Sequence, residues 1–121
     1  MKSAHYAVVL VLLAACSLML QSQELIMHAS QVRLRHLAGR VVGTTGASIP
    51  HASVELRDAA NHRPLASTFT DGNGDFYFGD RKRGERLEMR AVRAGFNIVQ
   101  YTIIVARLGK MHIRIVLPVA A

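Results

Sequence analysis

The chain has 121 residues and a formal net charge of +7, which leaves room for one small domain and creates a field that favours anionic partners. Its one cysteine, Cys16, lies in an apolar N-terminal stretch, so the rest of the chain has neither an internal disulfide nor a thiolate metal site. With no Trp, four Phe and three Tyr, the core has to be assembled mainly from Val, Ile, Leu and Met.

Residues 1–22 are laid out as a bacterial signal peptide helix: Lys2 supplies a positive start, residues 7–13 are unbroken apolar, and Ala14-Ala15-Cys16 are small. The apolar stretch ends near Leu20 and is too short for a spanning helix, which takes about 20 such residues. Two processing routes fit. Leu13-Ala14-Ala15-Cys16 resembles the lipobox of bacterial lipoproteins, in which Cys16 becomes a lipidated N-terminus. Ordinary cleavage near Ser22 is the other route, favoured by the apolar run that continues after the cysteine. Both lead out of the cytoplasm: the expected location is periplasmic, outer-membrane-associated or secreted. Export disfavours nucleic acid as a partner, and contact with a membrane is expected only through a lipid on Cys16.

Residues 23–35 lack clean periodicity and are expected to be a tether, with a helical turn around Glu24 to His28. Beyond them the chain reads as short strands separated by turn signals, the spacing of a sandwich or barrel. The expected strands are 36–42, 52–57, 65–70, 75–79, 86–93, 96–105 and 110–117, seven in all. In the second, Ala52, Val54 and Leu56 alternate with Ser53, Glu55 and Arg57, as in a sheet with one buried and one wet face. The last sets Met111, Ile113, Ile115 and Leu117 on the inner side. Asp71-Gly72-Asn73-Gly74 is the strongest turn signal, since Gly and Asn accept the positive φ of a tight hairpin.

Leu37-Ala38-Gly39-Arg40-Val41, Gly46, Ile49-Pro50, Ala52-Ser53-Val54 and Thr70-Asp71-x-x-Gly74-x-Phe76 together resemble the carboxypeptidase regulatory-like domain family. The resemblance implies an all-β, seven-stranded, immunoglobulin-like (transthyretin-like, prealbumin-like) β-sandwich over residues 36–118. It also implies a non-catalytic accessory unit, since such modules occur beside carboxypeptidases, at the N-terminus of outer-membrane receptors and in bacterial surface proteins. The matching residues have structural roles. Gly39 leaves room for close packing on the opposing sheet, Pro50 stiffens the approach to the second strand, Asp71 holds the hairpin, Gly74 takes the turn conformation and Phe76 enters the core.

One departure from the family is informative. Where the family has an apolar Leu-Pro-Pro-Gly link, this chain has Arg81-Lys82-Arg83-Gly84, with Arg86 close behind. Arg81, Lys82, Arg83 and Arg86 are therefore the candidate anion-binding residues. Catalytic and metal sites are not expected. Asp71, Asn73 and Asp75 start like a calcium loop but lack its later ligands, the histidines form no His-x-x-x-His or His-x-His pair, and no serine sits in a nucleophile elbow. No cofactor is expected. The functional expectation is a non-catalytic, exported cell-envelope interaction module with a protein partner; the alternative is a binder of anionic glycan or envelope polymer through residues 81–83.

Overall fold

The computed structural model describes residues 25–120; the leader and Cys16 lie outside them. The described residues form an all-β sandwich with two sheets and no helix. The strands are β1 (Ile26–His28), β2 (Val32–Leu34), β3 (Ala38–Gly43), β4 (Ser53–Asp58), β5 (Pro64–Phe69), β6 (Asp75–Tyr77), β7 (Arg86–Val92), β8 (Ile98–Val105) and β9 (Ile113–Leu117). The larger sheet runs β1-β8-β7-β4-β5, with β2 also paired to β8. The smaller sheet runs β6-β3-β9.

The described residues thus contain nine strands, against seven expected for the chain. Strands β3 to β9 correspond to the seven, with ends displaced by a few residues. The other two come from the segment expected as a tether, and Ile26–His28, within the expected helical turn, form β1 instead. Both new strands run parallel to β8, Ile26 opposite Ile98 and Val32 opposite Ile103. Between them residues 29–31 face only residues 101–102, a bulge that divides one extended run into two short pieces. Three-residue strands broken by a bulge carry too little alternation to be read from sequence.

Burial follows the pleat. On β4, Val54 and Leu56 point inward; on β7, Leu87, Met89 and Ala91 do so; on β8, Val99, Ile103 and Val105. The small sheet answers with Leu37, Val41, Phe76, Ile113, Ile115 and Leu117, and Leu34 of β2 joins the same core. Tyr101 of the same strand is only partly buried against this core. Met111 is a correction: it precedes the ordered strand, which starts at Ile113, and is half exposed rather than inward-facing. Pro64 opens β5 at the edge of its sheet, where a missing amide proton costs no ladder bond.

Gly39 has a sharper reason than the opposing sheet. A Cβ there would lie 2.2 Å from the Ile113 carbonyl oxygen and 2.9 Å from Phe76 Cζ, both in its own sheet. Gly74 sits at φ +77 with its amide bonded to the Asp71 carbonyl at 3.0 Å. Asp71 Oδ1 accepts from the amides of Asn73 and Asp75, each at 2.9 Å. Pro50 lies in the turn before β4, and Phe76 is buried with its ring edge-on to Phe78 at 6.0 Å.

Candidate functional site

Strand direction collects four connections at one end of the sandwich. They are the β2–β3 junction, the β4–β5 hairpin, the β6–β7 link and the β8–β9 turn. The 79–85 link is pinned there by backbone bonds from Gly84 N to the Val105 carbonyl (2.8 Å) and from Val105 N to the Glu85 carbonyl (3.0 Å). Gly79 and Gly84 supply the positive φ values of 88° and 84° that fold the link back.

That placement gives the basic link neighbours the sequence did not suggest. Arg81 and Arg83 line a pocket of about 240 Å³ with Arg35 from the β2–β3 junction and Arg107 from the β8–β9 turn; His36 and Asp80 complete the polar lining. Lys82 is exposed on the link beside it, and Arg86 leaves the group, since it begins β7 opposite Ile104. The structure therefore joins two of the four expected cations in a pocket and adds two more. The alternation in Val32-Arg33-Leu34-Arg35 was the available signal for Arg35: Leu34 turns inward, so Arg33 and Arg35 turn out. Arg107 carried no such signal, because its position depends on a turn.

Charge at this end is only partly compensated. Arg81 approaches Glu85 at 3.8 Å, and His36 Nδ1 lies 2.9 Å from Asp80 Oδ1. Among the described residues, Arg33, Arg35, Lys82, Arg83, Arg107 and Lys110 form no ion pair. All six are exposed. Unpaired guanidinium and ammonium groups crowded on one surface raise its potential and draw in polyanions.

A second, larger hollow of about 930 Å³ lies over the outer face of the small sheet. Ala38, Arg40 and Val42 of β3 line it, with Tyr77 on one side and His112 on the other. Of its two arginines, Arg114 forms no ion pair among the described residues and Arg40 is paired. Arg40 Nε donates to Asp75 Oδ1 at 2.8 Å, and this hydrogen bond holds the Asp75 carboxyl below the usual carboxylate range while raising Arg40. The same pair occupies Asp75, and Asp71 is engaged with backbone amides, so these two carboxylates are committed to the hairpin and the sheet.

Two further polar contacts lie within the fold. Thr70 Oγ1 accepts from Ala52 N and donates to the Ile49 carbonyl, both at 2.8 Å. Glu88, nearly buried on the outer face of the large sheet, is paired with His62 of the β4–β5 hairpin. His51 and His62 stand at opposite ends of β4. Among the described residues no three His, Cys, Asp or Glu side chains gather as a metal site, and no helix is long and apolar enough to cross a membrane.

The family profile of the carboxypeptidase regulatory-like domain matches residues 36–118, more than half of the chain. The chain belongs to this family. The regulatory-like domain is a transthyretin-like, prealbumin-like β-sandwich, in agreement with the two observed sheets. No curated protein matches the chain. Among solved structures, 3-chlorocatechol 1,2-dioxygenase from Rhodococcus opacus 1CP is similar at 14% identity and a TM-score of 0.51, covering 82% of this chain and 67% of that one. A variant of catechol 1,2 dioxygenase from Acinetobacter radioresistens is similar at 13% identity and a TM-score of 0.48, covering 81% and 58%. At such identities the first likeness speaks for the fold alone. Strands β1 and β2, with Arg33 and Arg35, lie outside the family match.

Proposed function

We propose that the chain is an exported, non-catalytic binding module of the cell envelope, and that it meets a polyanionic partner through the cationic end of its sandwich. The observation that carries the reading is the gathering of Arg35, Arg81, Arg83 and Arg107 around one pocket, with Arg33, Lys82 and Lys110 unpaired nearby. Three separate segments contribute, residues 33–35, 81–83 and 107–110, which an incidentally basic loop would not achieve. The partner is an acidic glycan, another anionic envelope polymer or an acidic face of an envelope protein. Export rests on the layout of residues 1–22, with Cys16 as lipid anchor or removal near Ser22 as the two routes. The non-catalytic reading rests on the family and on residues committed to structural bonds.

A sulfated-polysaccharide column developed with salt tests the binding. The protein is retained at low ionic strength and elutes as salt screens the contact. Neutralising Arg81, Lys82 and Arg83 to Ser lowers the eluting salt, and so does neutralising Arg35 and Arg107. Arg93→Ser, exposed in the turn at the opposite end, leaves it unchanged. Elution of the parent in the low-salt wash, or equal effects at both ends, overturns the assignment.

A further inference from the structure

The cationic end also carries the most exposed large apolar side chain among the described residues. Leu108, 97% exposed, sits in the turn between β8 and β9, directly after Arg107 and two residues before Lys110. A single exposed leucine is ordinary on a protein surface. This one is held in place. Gly109 N bonds to the Ala106 carbonyl at 3.1 Å and closes the turn, and Ala106 N bonds to the Leu34 carbonyl at 2.9 Å. Lys110 N bonds to the Arg33 carbonyl at 2.9 Å, and Arg35 N to the Lys110 carbonyl at 2.8 Å. A Cβ on Gly109 would fall 2.8 Å from the backbone carbon and oxygen of Arg33, so the turn lies flat against β2. The backbone that carries Leu108 is therefore fixed, at the same end of the sandwich as Arg33, Arg35, Lys82, Arg83, Arg107 and Lys110, none of them ion-paired.

We propose that this end docks on a bilayer leaflet carrying anionic phospholipid, with Leu108 entering the acyl boundary while the surrounding cations engage phosphate headgroups. A polymer in water offers no apolar phase to a leucine, whereas a leaflet offers both phases at the right depth. Charge complementarity favours the anionic leaflet: each Lys or Arg near such a surface strengthens binding by about fivefold, and burying a leucine side chain adds about tenfold or more. The sequence ties membrane contact to Cys16 alone; the fold supplies a second contact at the far end of β8 from Leu25. This inference rests on the reading of the same end as a polyanion-binding surface, and puts a lipid leaflet in place of the polymer or protein as the polyanion.

The chain contains no tryptophan, so Leu108→Trp places a single fluorescent reporter at the tip. With the full chain, its emission is expected to move to the blue on phosphatidylglycerol vesicles and to be quenched by brominated acyl chains. Neither change is expected on phosphatidylcholine vesicles or on heparin. Leu108→Ser, folded by circular dichroism, is expected to weaken phosphatidylglycerol binding about tenfold and to leave heparin elution unchanged. Lys82→Ser with Arg83→Ser weakens both. Retention on heparin with no spectral change on phosphatidylglycerol identifies a polymer partner and overturns the membrane inference alone. A blue shift of equal size on phosphatidylcholine overturns the charge-guided docking. Failure to bind either polyanion overturns the membrane inference together with the function it rests on.

Discussion

Leu34 decides whether the segment before the family match belongs to the folded domain. Its side chain is fully buried, although it comes from a three-residue strand that sequence reading treats as tether. Leu34→Ala removes three carbon groups from the core, about 2.4 kcal/mol of transfer free energy at about 0.8 kcal/mol each. The cavity left behind raises the cost to about 3 kcal/mol, inside the usual span for buried leucines. For a domain of this size that corresponds to a fall in melting temperature of about 15 °C. Thermal and urea denaturation followed by circular dichroism measure it, with Arg33→Ala on the exposed side of the same strand as a control. The control is expected to stay within about 0.5 kcal/mol. A Leu34→Ala shift no larger than that of the control means that β2 is not packed. The placement of Arg33, Arg35 and the Leu108 turn would then fall with it, because the Leu34 carbonyl anchors that turn.

Gly39→Ala is expected to cost at least as much, since the new Cβ meets the Ile113 carbonyl oxygen and the Phe76 ring in the central strand of the small sheet. Soluble yield and urea midpoint report it beside Gly72→Ala, which has open space around it, and parental behaviour of both variants refutes the packing argument. Asp75 has a lowered pKa in the folded state through its hydrogen bond from Arg40. Its contribution is therefore present above the unfolded carboxylate value near 4 and lost as pH falls through the folded value. Asp75→Asn is expected to lose the part of the acid-limb slope that comes from this group; identical slopes from urea midpoints taken across that range remove it from the account.

Much of the fold was legible because its signals are local. The alternation of Ala52, Val54 and Leu56 is a period of two with one wet face, and Asp71 to Gly74 carry their turn chemistry in four adjacent residues. The ordered run from Leu37 to Phe76 was enough to indicate the family. The basic link was visible for the same reason, three cations in a row. Strands β1 and β2 were not legible, because what makes them strands is the free edge of β8, and Met111 was misplaced because the ordered part of β9 starts two residues later.

The sequence by itself determined a β-sandwich of this family, the hairpin at Asp71, most of the core and the positions of the basic link. Only the tertiary structure decided which cations stand together. Arg35 and Arg107 reach Arg81 and Arg83 because strand pairing brings segments far apart in the chain to one end of the sandwich. Arg86 leaves the group because the alternation of β7 assigns it to a strand opposite Ile104. Surface charge clusters are products of strand order and direction, and those follow from long-range ladder bonds that no local window of sequence contains.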